Sequence, residues 1–205
     1  MDRNLVGWAR AVKARRARHA CGLPTLWLFT DQARLPDPLA AARRLPPGIG
    51  GVVLRDDSLP ERRALGLALK RLCRARRLTL AVAGDWRLAA ALGAGAHLRA
   101  GRRPAGMPRW LPVLTSSAHG AADLWRARCA GARLAFLSPV FATQSHPGAD
   151  ALGPLRWGLA ARRAGGAAAL GGLDGSTVRR MPAACLAVGT IGALGVRPRP
   201  PQRRV

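Results

Sequence analysis

The chain of 205 residues is short of acidic residues, of lysine and of tyrosine, and it lacks a long apolar run. Ten Asp and Glu residues face 34 Lys and Arg residues, which gives a net charge of +24. Only Lys13 and Lys70 are lysines, and Glu61 is the only glutamate. Arginine in place of lysine is typical of a GC-rich genome. The shortage of acidic residues has no such explanation.

Membrane and disulfide-stabilised architectures are excluded by two further absences. No apolar stretch reaches the roughly 20 residues that a membrane-spanning helix requires. No apolar block follows the basic N-terminus, so we expect no secretory signal and no membrane partner. The four cysteines form no Cys-x-x-Cys pair, so we expect neither a zinc site nor a disulfide framework. These features predict a cytoplasmic protein with reduced thiols.

The composition predicts one central domain between two basic arms. Hydrophobic residues make up 49% of the chain, which is enough for a core. Residues 1–20 are rich in arginine, and their apolar residues recur at helical spacing at Leu5, Trp8, Ala9 and Val12. Residues 196–205 read VRPRPPQRRV. We therefore expect a basic N-terminal helix, a domain over 21–195 and a disordered tail over 196–205.

Short apolar runs alternate with segments of helical spacing throughout the central region. The eight runs are Leu26–Thr30, Gly51–Leu54, Leu78–Ala83, Ala96–Leu98, Leu111–Leu114, Leu134–Val140, Ala167–Leu170 and Cys185–Val188. This alternation predicts parallel strands joined by helices, and eight strands favour a (β/α)8 TIM barrel over an open doubly wound sheet. The chain leaves almost no room for an eighth helix, whose place the N-terminal helix is expected to cover.

In a barrel of this kind, polar residues at the carboxyl ends of strands are the candidates for a site. Gly171-Gly172 and Gly189-Thr190 follow the last two strands, where backbone N–H groups commonly hold a phosphate. Asp85 is either a Mg²⁺ ligand or the cap of the helix that follows it. His97, within the fourth run, is expected in the barrel wall.

Two further residues at strand ends, Arg55 and His119, each have more than one possible role. Arg55 is expected to bind a phosphate or to form an ion pair with Asp56, Asp57 or Asp85. His119 suits proton transfer, although its spacing alone favours a capping or packing role.

Several segments, in order along the chain, resemble the strands of one known family. LWLFTD (26–31) and VVLRDD (52–57) resemble the first two strands, and LAVAGDWRLAAALGAGAHL (80–98) the third and fourth, of the thiamine phosphate synthase and thiazole tautomerase (TenI) superfamily. VLTSSAH (113–119) resembles its Ser-x-His turn, and AGARLAFLSPVFATQSH (130–146) resembles its Gly-Pro-Val-Phe-x-Thr segment. ALGGL (169–173) and LAVGTI (186–191) resemble the last two strands. The similarity spans about residues 24–192 and implies a TIM barrel.

The resemblance implies a transferase that joins a hydroxymethylpyrimidine diphosphate to a thiazole phosphate and releases pyrophosphate, with Mg²⁺ as cofactor. Arg55 and Ser117 match residues that contact the diphosphate, and Asp85 matches one magnesium aspartate. His119 matches the histidine of the Ser-x-His turn. The residues matched to the thiazole phosphate site are Thr143, Ser145, His146, Gly171, Gly172, Gly189 and Thr190.

This chain departs from the family pattern around the diphosphate. Val53 and Asp57 replace a glutamine and a lysine, and Gly84 replaces an asparagine. Arg102 stands at about the position of the second magnesium aspartate, and His146 stands where the family has a lysine. An arginine offers no lone pair to a cation, so these changes remove one expected metal ligand and predict direct contact between Arg102 and the diphosphate.

Three alternatives to the synthase stay open. The tautomerase branch moves a proton on a thiazole phosphate, with His119 in the catalytic position. A barrel without catalysis would bind a phosphorylated ligand, and the resemblance is compatible with a homo-oligomer. Nucleic-acid binding through the basic arms is disfavoured, because the six tryptophans are not interleaved with the arginines.

Overall fold

The computed structural model describes residues 2–16, 22–55, 60–143 and 150–194, and in them eight parallel strands close into one barrel. The strands are β1 (Leu26–Phe29), β2 (Gly50–Leu54), β3 (Thr79–Ala83), β4 (Gly95–Leu98), β5 (Leu114–Ala118), β6 (Leu134–Leu137), β7 (Ala167–Ala169) and β8 (Cys185–Thr190). Each strand pairs with the next along the chain, and β8 pairs with β1. The barrel prediction is therefore confirmed over the open sheet.

Helices surround the barrel unevenly. They are α1 (Arg3–Arg16), α2 (Pro38–Arg43), α3 (Arg62–Ala75), α4 (Trp86–Leu92), α5 (Ala121–Cys129) and α6 (Gly153–Arg163). No α-helix joins β4 to β5, and single 3-10 turns at Val178–Arg180 and Gly192–Leu194 precede and follow β8 within the described residues. None of the described helices has the length and apolar character to cross a bilayer.

The N-terminal helix α1 covers the outside of β8. Its apolar residues Leu5, Ala9 and Val12 are buried. The Thr25 hydroxyl donates to the Ala9 carbonyl at 2.8 Å, which ties α1 to the start of β1. Arg16 donates to the carbonyl of Leu186 in β8 at 2.7 Å. The helix thus lies where an eighth helix would pack, while the predicted tail lies outside the described residues.

Aromatic side chains fill the barrel interior, and glycines in the wall make room for them. The rings of Phe29 in β1 and Phe136 in β6 meet nearly at right angles, with centroids 4.9 Å apart. A Cβ at Gly189 would lie 2.7 Å from the Phe29 ring, and a Cβ at Gly51 would lie 2.5 Å from the Trp27 ring. Neither wall position can hold a larger residue without displacing an interior ring.

The prediction of a fifth strand at Leu111–Leu114 is wrong, because β5 spans Leu114–Ala118. Pro112 has no N–H to donate and therefore suits a loop better than a strand that is paired on both sides. Ser116 and Ser117 consequently lie within β5 rather than after it.

Strand β5 is polar, yet its hydroxyl groups find partners inside the protein. Thr115 and Ser116 are fully buried. The Thr115 hydroxyl lies 2.9 Å from Nδ1 of His97 in β4, and the Ser116 hydroxyl accepts the N–H of Gly101 at 2.9 Å. These bonds offset the cost of burying polar groups, which is why a segment without alternating apolar residues forms a barrel strand.

Candidate functional site

A cavity of about 520 Å³ opens at the carboxyl ends of the strands. It brings together seven of the residues that the sequence singled out, namely Arg55, His119, Thr143, Gly171, Gly172, Gly189 and Thr190. This first cavity has the size of an ordinary small-molecule site. Its lining residues come from strands on opposite sides of the barrel, so only closure of the sheet brings them together.

Two glycines after β7 form a backbone cradle at the first cavity. Gly171 and Gly172 have φ values of +94° and +64°. A Cβ at Gly172 would lie 2.5 Å from the Ala142 carbonyl oxygen, so the two loops approach closely there. The N–H groups of both glycines donate to no partner within the described residues. Adjacent unpartnered amides at a cavity wall are suited to an anion.

Polar groups beside the cradle are held by the loops that follow β7 and β8. The Thr190 hydroxyl accepts the N–H of Ala193 at 3.3 Å. Asp174, which the sequence analysis missed, also lines the cavity. Its carboxylate accepts the Ser176 hydroxyl at 2.6 Å and the N–H groups of Thr177 and Ser176 at 2.9 and 2.8 Å, and these bonds lower the pKa of Asp174 to about 2. Its charge is therefore already compensated by the turn that it caps.

Arg55 faces the same cavity from the end of β2, and its partner is Asp31. Its guanidinium forms an ion pair with the Asp31 carboxylate, and its backbone N–H donates to the Thr30 hydroxyl at 2.9 Å. Asp56 and Asp57, two of the expected partners, lie outside the described residues. Arg55 is thus ion-paired, but with a partner other than those expected, and its phosphate-binding role stays a prediction.

Asp31 holds a second arginine that the sequence analysis did not select. Arg34 also lines the cavity, and its Nε donates to Asp31 at 3.1 Å. Burial raises the pKa of Asp31, but the hydrogen bonds and charge of Arg34, together with the charge of Arg55, outweigh it and lower the pKa overall. An ionised carboxylate therefore holds two guanidinium groups at the cavity wall. A sequence signal existed, because Arg34 lies three residues after the strand-end aspartate.

His119 is oriented by the backbone of the next strand end. Its ring Nδ1 lies 3.2 Å from the Ser138 carbonyl oxygen, and its backbone N–H donates to Asp123 at 2.9 Å. A carbonyl only accepts, so Nδ1 carries the proton and Nε2 of the neutral ring remains an acceptor. Because His119 lines the first cavity, its ring is placed to exchange a proton with a bound ligand.

Asp85 lies at a second cavity, of about 300 Å³, between β3 and the β4–β5 loop. Its carboxylate accepts the N–H of Leu88 at 2.9 Å and so caps helix α4, which was one of its two expected roles. Other residues that line this second cavity are Trp86, His97, Arg99, Arg102, Pro104 and Met107.

The described residues that line the second cavity offer a magnesium ion a single carboxylate, that of Asp85. They contain no group of three or more His, Cys, Asp or Glu side chains that could hold a metal. Beside Asp85, the second cavity presents Arg99 and Arg102 instead of a further carboxylate. Guanidinium groups carry no lone pair for a cation, so this donor set suits an anion.

The remaining predicted site residues have other surroundings. The Ser117 hydroxyl accepts the N–H of Ala100 at 3.1 Å and so fixes the β4–β5 loop. Ser117 is not among the described residues that line either cavity. Ser145 and His146 lie outside the described residues.

His97 lies in the barrel wall, as expected, and its ring is buried in the interior. Its ring packs edge-on against Phe29, with centroids 5.5 Å apart. Burial, and secondarily the charge of Arg55, lower the pKa of His97 to about 3. The ring is therefore neutral at physiological pH.

Comparison with known proteins agrees with this architecture. The structure of a thiamine phosphate pyrophosphorylase from Pyrococcus furiosus is similar with a TM-score of 0.66 and 21% identity, over 84% of this chain and 88% of that chain. A citrate synthase variant has a TM-score of 0.55 and 13% identity, over 86% of this chain and 89% of that one. At these identities the likeness shows the fold alone.

The family itself is shown by sequence. No curated protein matches the chain. The family model described as thiamine monophosphate synthase, however, matches residues 27–189, which extend from within β1 to within β8. The chain therefore belongs to the thiamine monophosphate synthase family.

Proposed function

We propose that the protein binds a thiazole phosphate in the first cavity, joins it to a hydroxymethylpyrimidine diphosphate and releases pyrophosphate. One observation carries this proposal. The unpartnered amides of Gly171 and Gly172 lie on the same cavity as Arg55 and His119. A phosphate on the glycine cradle would direct the attached ring towards the side of the cavity that carries the cationic and proton-transferring groups.

The reaction needs one bond broken and one formed. The bond between the pyrimidine methylene carbon and the diphosphate oxygen breaks, and its electron pair leaves with the diphosphate. The resulting carbon cation is attacked by the lone pair of the thiazole nitrogen, which forms the new carbon–nitrogen bond. Negative charge develops on the departing diphosphate, so positioned guanidinium donors such as Arg55 would stabilise the transition state.

Asp31 positions the Arg55 guanidinium for this role. The carboxylate holds the guanidinium groups of Arg34 and Arg55 at the cavity wall before any ligand binds. A preorganised donor loses little conformational freedom when the diphosphate arrives. The Arg55 side chain is still 38% exposed, so part of its fork remains accessible to a ligand.

A second candidate function rests on His119. Its Nδ1 is engaged by the Ser138 carbonyl, which leaves Nε2 as a base at the cavity that carries the glycine cradle. A base in this place would move a proton on a thiazole phosphate without any diphosphate, which is the tautomerase reaction.

The deciding experiment is synthesis of thiamine phosphate by the purified full chain. Both substrates are supplied, with Mg²⁺ or with EDTA, and the product is measured as fluorescent thiochrome. We expect turnover that falls about tenfold or more in Arg55→Ala, because a charge-assisted contact is lost. Arg109→Ala is the control, since it removes the same charge from an exposed position that lines neither cavity.

The absence of product from folded protein would reject the synthase. The tautomerase would then be tested by incubating the protein with thiazole phosphate in deuterated water. Incorporation of deuterium into the thiazole phosphate by the wild type, but not by His119→Ala, would establish that reaction.

A further inference from the structure

The β4–β5 loop places two arginines side by side. Arg99 and Arg102 form an isolated antiparallel bridge, and the N–H of Arg102 donates to the Arg99 carbonyl at 2.9 Å. Between them, Ala100 and Gly101 have φ values of +49° and +72°, which is the sign that tight hairpin turns require at both central positions. Residues paired in this way direct their side chains to one face, with Cβ atoms about 5 Å apart.

This turn is fixed on both sides of its backbone. The N–H of Gly101 donates to the Ser116 hydroxyl and that of Ala100 donates to the Ser117 hydroxyl. Nε of Arg126 donates to the Ala100 carbonyl at 3.2 Å. A Cβ at Gly101 would lie 2.4 Å from the backbone nitrogen of Ala127. The two arginines therefore cannot separate by a movement of the turn alone.

The turn concentrates positive charge at the second cavity. Among the described lining residues, Asp85 supplies the only carboxylate there, and it already caps α4. The Arg102 guanidinium has no hydrogen-bond or ion-pair partner in the described part of the chain. The left-handed Ala100 strains the same turn. Two guanidinium groups held beside a cavity by a strained turn are suited to binding an anion.

We propose that the second cavity binds a diphosphate group without a divalent cation, and that Arg99 and Arg102 supply the positive charge that magnesium would otherwise supply. Guanidinium forks bind phosphate oxygens in pairs and keep their charge at any physiological pH. Trp86 and Met107 give the same cavity an apolar side that suits an attached ring. The inference rests on the proposed function for the choice of a diphosphate and for the identity of that ring.

Calorimetric titration of the full-length protein with inorganic pyrophosphate, in EDTA and then in Mg²⁺, tests this proposal. We expect binding in EDTA that weakens about tenfold or more in Arg102→Ala, as for loss of a charge-assisted contact. Arg109→Ala, an exposed arginine of the same loop outside the cavity, should leave the affinity unchanged. Circular dichroism confirms that each variant is folded.

The Asp85→Asn variant distinguishes an arginine site from a metal site, because the two sites predict opposite changes in pyrophosphate affinity. Asparagine caps a helix as well as aspartate does, so the fold should be kept. If arginines hold the diphosphate, removal of the nearby negative charge leaves pyrophosphate binding as tight as before or tighter. If magnesium holds it, the same change weakens binding.

Four results would overturn the proposal: no binding, binding only with Mg²⁺, loss of binding in Asp85→Asn, or equal weakening in Arg102→Ala and Arg109→Ala. Weakening by Gly172→Ala but not by Arg102→Ala would place pyrophosphate in the first cavity and would also overturn it. This experiment measures pyrophosphate binding, not synthesis. Failure of thiamine phosphate synthesis would therefore reject the proposed function but would not test this inference.

Discussion

Replacement of Gly172 by alanine tests whether the loop after β7 is a phosphate cradle. Gly172 has a φ of +64°, a conformation that costs an L-residue about 1–2 kcal/mol. The new Cβ would also lie 2.5 Å from the Ala142 carbonyl oxygen, which belongs to backbone and cannot rotate away. Displacement of that loop adds about 1–3 kcal/mol, the usual cost of overpacking.

Gly131→Ala is the matched control. Gly131 has a φ of +84°, so alanine is strained there too, but no atom lies within 4 Å of the new Cβ. Chemical denaturation should show a loss of about 1–2 kcal/mol in Gly131→Ala and a larger loss in Gly172→Ala. The difference between the two variants isolates the steric contact.

Measurement of ligand affinity then distinguishes a phosphate-binding loop from a tight turn that binds nothing. We expect Gly172→Ala to weaken binding of thiazole phosphate and of inorganic phosphate about 10- to 100-fold, since anion contacts to displaced amides are lost. Gly131→Ala should bind both ligands as the wild type does. Unchanged phosphate affinity in a folded Gly172→Ala protein would refute the cradle.

Three further predictions concern titratable groups. Burial lowers the pKa of His97 from 6.5 to about 3, so the unfolded chain binds an extra proton between these values. The free energy of unfolding should therefore fall as pH drops below 6.5, and a slope equally steep in His97→Gln would contradict this. The pKa of Asp174 is lowered from 3.8 to about 2, so its stabilisation is present above pH 3.8 and is lost as pH falls towards 2. Denaturation midpoints of the wild type and Asp174→Ala should converge over that interval, and a constant gap would disprove the assignment. Burial raises the pKa of Cys73 and Cys185 to about 12, whereas Cys129 is exposed. In a Cys21→Ser protein, one thiol should react with a disulfide reagent before unfolding and three after it, and early reaction of a second thiol would show that a buried one is accessible.

The sequence by itself determined the barrel and those elements whose signals are local. Helix α4 follows Asp85 as expected, because Asp85 caps its first turn and Gly93 ends it in the left-handed conformation. The N-terminal helix follows from apolar residues at helical spacing. The rule that sites lie at the carboxyl ends of strands selected Arg55, His119 and the glycines, all of which line the first cavity. Each of these inferences needs only neighbours in the chain or a general property of the fold.

Tertiary structure decided what depends on partners distant in sequence. Strand β5 was misplaced because Thr115 and Ser116 are polar, and only bonds to β4 and the loop after it permit their burial. Asp31 becomes the partner of Arg55 because β1 and β2 are adjacent in the barrel. The pairing of Arg99 with Arg102 follows from a turn whose left-handed residues are held by β5 and α5. Side-chain pairing across strands depends on register and on barrel closure, which bring together residues that lie far apart in the chain.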